Sequence, residues 1–249
     1  MPQFTFILDR PQFPGNIGFS ARVIKNFGFK EIILLDSCEI TSETYQFAVK
    51  AEDLVKKAKK YQSLGEMLTA EDLNYLIGTT ARIGGSKNPK RNAVPSVRLR
   101  SYPFPSTGTI GVLFGPEQAG LENEEIQMCD LIVTIPTAEG YPSLNLSHAV
   151  GIIAYELSLR TESGRTLPYE PSKKKEREVL VTFWRKLIED VYEGKPRGKI
   201  EIFKEIMENL AGRSFLTRRE THSLIGITKE IRRKIKNRSN VKGTRDERV

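Results

Sequence analysis

Three short stretches of this 249-residue chain combine glycine, proline and small polar side chains. Each comes after an apolar run that reads as a β-strand. Open α/β sheets bind ligands in the crevice at the carboxyl ends of their strands, so the three stretches together predict one ligand site. They are Pro14–Arg22 (PGNIGFSAR), Phe114–Leu121 (FGPEQAGL) and Tyr141–Gly151 (YPSLNLSHAVG).

The third of these stretches begins a helix. Its apolar residues recur at the spacing of one buried helix face, and Asn145 or Ser147 can cap the free backbone N–H groups at the helix start. Pro142 and Ser143 lie just before this cap. Alone, the pattern fits either an ordinary capped helix or a helix N-terminus that receives an anion or another ligand. The apolar positions are Leu146, Ala149, Val150, Ile153, Ala154 and Leu157.

Strands and helices alternate around these stretches, which predicts an α/β fold with a mostly parallel sheet. Asn16 is expected to cap the first helix, and Gly28 to end it in the left-handed conformation. The segment 79–108 has basic side chains and no acidic residue, and it is expected to be a long irregular loop that meets an anion. Strands are expected at 4–8, 31–36, 73–78, 109–114 and 130–136, and helices at 17–27 and 43–60.

The net charge of +8 is concentrated in the C-terminal part of the chain. Residues 161–249 carry 23 Lys and Arg against 14 Asp and Glu, whereas the first 160 residues carry 16 against 17. A basic appendage on a neutral core is typical of proteins that bind a phosphate backbone, although a solvated helical surface fits the charge equally well. We expect one domain over 1–160, a linker over 161–178 and a basic helical domain over 179–249.

Several functional classes lack their usual sequence support. There is no Walker lysine, no GxGxxG motif after a strand and no paired nucleophile and histidine, which disfavours NTPases and nucleotide-dependent oxidoreductases. Cys38 and Cys129 have no metal-ligand spacing, so no metal site is expected. Without a leader or a long apolar run, the chain is expected to be cytoplasmic and without membrane association.

Taken together, the three stretches resemble the signature of the SPOUT superfamily of RNA methyltransferases, in its TrmJ-type branch of tRNA ribose 2′-O-methyltransferases. The resemblance implies an S-adenosylmethionine-dependent enzyme that methylates cytidine or uridine at the first nucleotide of the tRNA anticodon loop. It also implies a C-terminal trefoil knot in the sheet domain and a homodimer, with tRNA rather than DNA as partner. The matching segments are Asn-Ile-Gly-x-x-x-Arg, Phe-Gly-x-Glu-x-x-Gly-Leu and Ser-Leu-Asn-x-Ser-His-Ala, all within the first 160 residues.

The same resemblance implies roles for individual residues. The catalytic set is Arg22, Asn16, Glu117, Ser143 and Asn145. The cofactor-binding set, which would act largely through backbone groups, is Thr79, Thr80, Ala81, Gly115, Ile135, Pro142, Ser143 and Leu144. RNA contacts are expected from Arg82, Lys87, Lys90, Arg91, Arg232 and Arg233. At Gly115 and Gly120, the missing side chain would let the backbone approach the ligand closely.

In this family Arg22 would usually be assigned as the general base that takes the proton from the ribose hydroxyl. A guanidinium stays protonated and cannot accept a proton, so we expect Arg22 to stabilise the developing alkoxide and to anchor a neighbouring phosphate. Two alternatives remain open. One is a ribosomal RNA 2′-O-methyltransferase of the same superfamily, and the other is a non-catalytic RNA-binding protein with this fold.

Overall fold

The computed structural model describes residues 2–81, 93–105, 107–160 and 171–246, with side chains as far as residue 237. The chain forms two compact units, residues 1–169 and 170–249. Within the described ranges, no helix has both the length and the apolar character needed to span a bilayer.

The first unit is built on a seven-stranded sheet in which all described neighbouring strands are parallel, as predicted. The spatial order is β3-β2-β1-β6-β4-β7-β5, so the carboxyl ends of β1, β6, β4 and β7 lie side by side. The strands are β1 Gln3–Asp9, β2 Ile32–Leu35, β3 Lys59–Tyr61, β4 Tyr75–Thr79, β5 Val94–Pro95, β6 Thr109–Phe114 and β7 Leu131–Thr134.

Six helices accompany this sheet in the described residues: α1 Pro14–Asn26, α2 Ser42–Ala48, α3 Glu52–Lys57, α4 Leu64–Ala70, α5 Asn123–Met128 and α6 Leu146–Ser158. Short 3-10 turns follow α2 at 49–51 and β5 at 96–100. Helix α1 packs against both α2 and α6. Gly18 makes the α1–α2 contact possible, since a Cβ there would lie 2.3 Å from the Thr44 carbonyl oxygen.

The core of this unit follows the alternation of side chains along each strand. Ile7, Leu113 and Ile132 form one apolar cluster with residues of α4 and α5. The residues that alternate with them point to the opposite face of the sheet, where the rings of Phe6 and Phe114 stack with centroids 6.1 Å apart. Nearly continuous burial of β1, β2, β6 and β7 is what a parallel sheet covered on both faces requires.

Three local predictions were wrong. Asn16 does not cap α1, because the helix already begins at Pro14, with Phe13 as its N-cap. The helix expected over 43–60 is broken at Val49, whose φ is +52°, and its last residues pair with β2 as strand β3. The segment 79–108 is not irregular throughout, because it contains β5 and a 3-10 turn whose Leu99 is fully buried.

Two other local predictions are confirmed. Gly28 follows the end of α1 with φ +82°. Asn145 caps α6, since its side chain accepts a hydrogen bond from the Ser147 backbone N–H. Helices α4 and α5 were not predicted from the sequence. Both are shorter than eight residues, so they repeat the 3.6-residue period only twice.

The second unit consists of helices α7 Lys174–Val191, α8 Arg197–Arg213 and α9 Arg218–Asp246. Leu180, Trp184 and Ala211 form its buried core. Thr217 and Glu220 make a capping box before α9. Helix α7 begins at Lys174, inside the stretch predicted as a linker over 161–178. Near its start, buried Arg177 donates a hydrogen bond to the Ser172 carbonyl.

Candidate active site

Hydrogen bonds between side chains join the three polar stretches. Asn16 Nδ2 donates to Glu117 Oε1 at 2.7 Å, and Asn145 Nδ2 donates to Asn16 Oδ1 at 3.0 Å. Glu117 Oε2 accepts the backbone N–H of Gln12 at 3.0 Å. Asn16 is buried, and a low local dielectric strengthens such bonds. We call this set of Glu117, Asn16 and Asn145 the polar triad.

The positions of the triad residues follow from the sheet order. Glu117 comes directly after β6, and β6 pairs with β1, so the loop after β1 meets the loop after β6. Because Pro14 opens α1, Asn16 falls in the first turn of that helix, where its side chain reaches Glu117. Prediction from sequence placed Asn16 at this helix start, but it could not identify the partner 101 residues away.

Asn145 has two separate tasks. Its Oδ1 accepts the Ser147 backbone N–H at 2.9 Å and the Ser147 hydroxyl at 2.7 Å, which caps α6. Its Nδ2 holds Asn16 at the same time. Two residues earlier, Ser143 is exposed, and its hydroxyl makes no hydrogen bond to any residue that the structure describes. That hydroxyl is therefore available to a bound molecule.

A cavity of about 280 Å³ opens at the carboxyl ends of β4, β6 and β7. Its wall contains all eight residues predicted to hold the cofactor, from Thr79–Ala81 on β4 to Pro142–Leu144 before α6. Glu117 also lines it and is the member of the polar triad that reaches the cavity wall. The remaining lining residues are Phe114, Pro116, Gln118, Ala119, Gly120, Leu121, Val133, Leu146 and Ala149.

Glycine is required at Gly115 by the packing of the loop itself, and the close approach of its backbone to a ligand stays a prediction. A Cβ at Gly115 would lie 2.4 Å from the Leu121 backbone nitrogen, because the loop 115–121 folds back on its own start. Gly120 makes this return possible with φ +67°, a conformation that favours glycine. All seven residues of this tight loop, 115–121, line the cavity.

Arg22 stands apart from the other four residues predicted to be catalytic. It is exposed on α1 and does not line the cavity. It forms no hydrogen bond or ion pair with any described residue. Hydrogen bonds join Asn16, Glu117 and Asn145, and Ser143 lines the same cavity as Glu117, whereas Arg22 takes part in neither arrangement.

The residues predicted to contact RNA lie in different surroundings. Arg82, Lys87, Lys90 and Arg91 fall outside the described residues. Arg232 Nε donates to Asp190 at 2.5 Å and is half-buried, so part of its charge is compensated inside the helical unit. Arg233 is more exposed and pairs with Glu230 one turn earlier on α9.

Sequence reasoning missed the contributions of four residues to this site. The backbone of Gln12 holds Glu117, and the Ser147 hydroxyl bonds to Asn145. Gln118 and Ala119 line the cavity between the two glycines of their motif. The Gln12 backbone donor has no signature in the sequence. Gln118 and Ala119 could have been predicted, because they lie between Gly115 and Gly120 of the same motif.

The sequence profile of the SpoU rRNA Methylase family matches residues 3–155. The chain is 38% identical over 226 residues to the tRNA (cytidine-2′-O-)-methyltransferase TrmJ of Methanocaldococcus jannaschii. The aligned region covers 90% of this chain and 97% of that protein. The crystal structure of TrmJ from Z. mobilis ZM4 matches with a TM-score of 0.70 and 25% identity, over 91% of this chain and 98% of that one.

A third similar protein is the SpoU methyltransferase AviRb from Streptomyces viridochromogenes, solved in complex with the cofactor AdoMet. It matches with a TM-score of 0.50 and 24% identity, over 64% of this chain and 59% of that one. At this identity the similarity concerns the fold of the sheet unit.

Proposed function

The chain belongs to the SpoU rRNA Methylase family, and we propose that it transfers a methyl group from S-adenosylmethionine to the 2′-hydroxyl of a ribose in tRNA. The observation that carries the proposal is the polar triad, which joins the three motif stretches and reaches the cavity wall through Glu117. A tRNA substrate is favoured over ribosomal RNA because the similarity to the archaeal tRNA enzyme extends over 90% of this chain, well beyond residues 3–155.

The cavity fits the cofactor by its chemistry. S-adenosylmethionine, when bound, supplies an electrophilic methyl group on a sulfonium. Apolar walls such as Val133 and Leu146 suit an adenine ring, and the glycine-bounded loop 115–121 offers backbone groups for polar parts. We assign cofactor binding to the eight predicted residues of the wall, Thr79, Thr80, Ala81, Gly115, Ile135, Pro142, Ser143 and Leu144.

The protein must place the ribose hydroxyl and stabilise the charge that develops on its oxygen. The Ser143 hydroxyl is available to hold the ribose, and the triad fixes the orientation of the loop around Asn145. Both carboxylate oxygens of Glu117 already accept hydrogen bonds, from Asn16 and Gln12, so Glu117 positions the site. Arg22 supplies a permanent positive charge for the alkoxide or an adjacent phosphate.

The target nucleotide in this proposal is cytidine or uridine at the first position of the anticodon loop. The test incubates the full chain with isotope-labelled S-adenosylmethionine and unmodified tRNA, followed by nuclease digestion and mass spectrometry. A labelled 2′-O-methylated pyrimidine nucleoside at that position is expected. A parallel reaction contains ribosomal RNA instead of tRNA. Label found only on a base, only in the ribosomal RNA reaction, or in neither reaction would reject this function.

A homodimer would complete the site. Phe19 and Arg22 lie three residues apart on α1, and Phe19 is 41% exposed. Tyr155 on the neighbouring helix α6 and Leu159 just after it are also exposed. We propose that a second copy of the chain covers this α1–α6 surface, which would bring Arg22 of one subunit to the cavity of the other.

Mixing two inactive variants tests this arrangement. Arg22→Ala and Ser143→Ala damage different halves of a composite site, so a mixed dimer has one doubly damaged site and one intact site. Random mixing should restore about a quarter of wild-type activity, because half of the dimers are mixed and each keeps one intact site. If Arg22 serves the cavity of its own subunit, the mixture stays inactive.

Three further features belong to the same proposal. The trefoil knot would lie in the C-terminal half of the sheet unit. The hydrogen bonds from Arg160, after α6, to the carbonyls of Leu99 and Tyr102 support this knot, because they join the end of the sheet unit to the 3-10 turn at 96–100 and the residues next to it.

The helical unit 170–249 would bind tRNA through its basic side chains. A cytoplasmic location agrees with a tRNA substrate and with Cys38 and Cys129, which form no disulfide.

A further inference from the structure

Tyr141 is the most exposed large apolar side chain in the described part of the protein, at 80%. A tyrosine contributes to a fold mainly by burying its ring, and this ring buries little surface. It also makes no ring contact with any described aromatic side chain. Tyr141 therefore contributes little to packing in this structure, and a role in binding accounts better for an aromatic ring at this position.

The place of Tyr141 in the chain points to the same conclusion. It lies immediately before Pro142, Ser143 and Leu144, which line the cavity. The Tyr141 backbone N–H donates to the Ala138 carbonyl at 3.1 Å, and the Thr137 hydroxyl donates to the Pro142 carbonyl at 3.3 Å. Proline at 142 also restricts the backbone of the residue before it. The ring is thus attached to a restrained turn at the cavity mouth.

The charge of the segment 133–149, which contains Tyr141, indicates which part of a nucleotide it can bind. Between Val133 and Ala149 the sequence has no Lys or Arg, and its one carboxylate is Glu139. Such a segment has no cation for a phosphate, but an exposed ring can stack on a base. The acceptor ribose has to reach the cavity, so the base attached to it lies within reach of the mouth.

We propose that Tyr141 is the platform on which the base of the target nucleotide stacks while its ribose is methylated. This inference rests on the proposed function and adds a substrate-positioning residue to it. Stacking uses the ring face that every base has, so Tyr141 would hold cytosine and uracil alike. Choice between the two pyrimidines would then have to come from other residues.

Steady-state kinetics on the full chain test this role with Tyr141→Phe, Tyr141→Leu and Tyr141→Ala. Phenylalanine keeps the stacking face, so its KM for tRNA should stay near the wild-type value. Leucine and alanine should raise that KM on the order of 10-fold, equally for cytidine and uridine targets. Glu139→Ala, in the same turn, is the matched control and should leave KM unchanged. Cofactor affinity by calorimetry should be the same in all variants, which verifies that the loop has kept its fold.

A direct readout uses tRNA with the fluorescent base pyrrolo-cytosine at the target position. Wild-type protein and Tyr141→Phe should quench its emission, whereas Tyr141→Ala should not. The proposal is overturned if Tyr141→Ala keeps both the KM and the quenching, or if Tyr141→Phe fails as Tyr141→Ala does. Dissociation of the dimer in Tyr141→Ala would also overturn it, since the ring would then be a subunit contact. A wild-type protein that methylates no tRNA would instead reject the proposed function.

Discussion

The side-chain amide of Asn16 can bridge its two neighbours in one orientation. Nδ2 must face the Glu117 carboxylate and Oδ1 must face the amide of Asn145, because a carboxylate only accepts and an amide NH₂ only donates. Asn145 is fixed in turn, since its Oδ1 caps α6. One carboxylate therefore sets the direction of every hydrogen bond from Gln12 to Ser147.

Replacing Glu117 by glutamine should disrupt this chain of bonds. The new NH₂ group would face either Asn16 Nδ2 or the Gln12 N–H, and two donors cannot pair. Either orientation loses a hydrogen bond to a carboxylate, which is worth about 1.5–3 kcal/mol, so we expect a lower melting temperature and a loss of kcat/KM on the order of 10- to 100-fold. Thermal denaturation and methyl-transfer kinetics measure the two effects.

The control for this substitution is Glu124→Gln, which removes the same charge from an exposed position on α5. It should leave both the melting temperature and kcat/KM close to wild type. If Glu117→Gln behaves like this control, Glu117 does not hold the site together.

Arg22 should act by charge and not by proton transfer. Arg22→Ala should lower kcat on the order of 100- to 1000-fold, the usual effect of removing a group that stabilises an oxyanion, and Arg22→Lys should lower it less. Added guanidinium should partly restore the alanine variant, because it replaces the missing cation. Rates measured across a pH series would contradict this role if an external base restored Arg22→Ala and guanidinium did not.

Strand β1 and helix α5 are joined by a cluster of charged side chains. Arg10 pairs with Asp9 at 2.9 Å, with Glu122 at 2.9 Å and with Glu125 at 2.5 Å. Burial raises the pKa of Asp9 to about 7, the negative charge of Glu125 adds to the rise, and Arg10 opposes it. The folded protein therefore holds a proton on Asp9 that the unfolded chain has released above its ordinary pKa of 3.8.

This proton makes stability depend on pH in a defined direction. The stabilisation is fully present below the unfolded pKa and is lost as pH rises through the folded pKa, so the free energy of unfolding should fall between about pH 4 and pH 7. The fall should be a few kcal/mol, at about 1.4 kcal/mol per pKa unit. In Asp9→Asn it should disappear, because an amide can donate to Glu125 at every pH. Urea unfolding at a series of pH values measures the slope.

Asp53→Asn provides the comparison for that slope. A hydrogen bond from Lys25 holds the pKa of exposed Asp53 below its ordinary value, so Asp53 titrates below the pH 4–7 window. The pH dependence of Asp53→Asn in that window should match wild type. A slope that survives in Asp9→Asn would assign the proton to another group.

The two compact units should separate catalysis from RNA affinity. Most of the excess positive charge lies in residues 161–249, whereas the cavity and the polar triad lie in the sheet unit. A chain ending at residue 160 should keep its affinity for S-adenosylmethionine but bind tRNA more weakly. The slope of log affinity against log salt should also become shallower, since fewer cations release counterions from the RNA.

Filter binding at several salt concentrations, with calorimetry of the cofactor, measures both quantities for the two chains. Retained cofactor affinity shows that the shortened chain is folded. An unchanged tRNA affinity and salt slope would remove the RNA-binding role from the helical unit.

The sequence by itself was sufficient for the parallel α/β class, five of the strands and the order of the three polar stretches. Apolar runs and short polar caps are local signals, and the physics that produces them acts over a few residues. Asn145 as the cap of α6 and Gly28 as the end of α1 are of this kind, since neighbouring backbone groups decide both.

The tertiary structure decided what depends on partners distant in sequence. Strand β3 replaces the end of a predicted helix because β2 offers it hydrogen bonds, and Gly115 is required because Leu121 folds back onto it. The polar triad exists because the sheet order brings together loops 101 and 129 residues apart. Local periodicity carries no information about such distances, so the motif residues could be identified from the sequence, whereas the bonds between them could be found only in the folded chain.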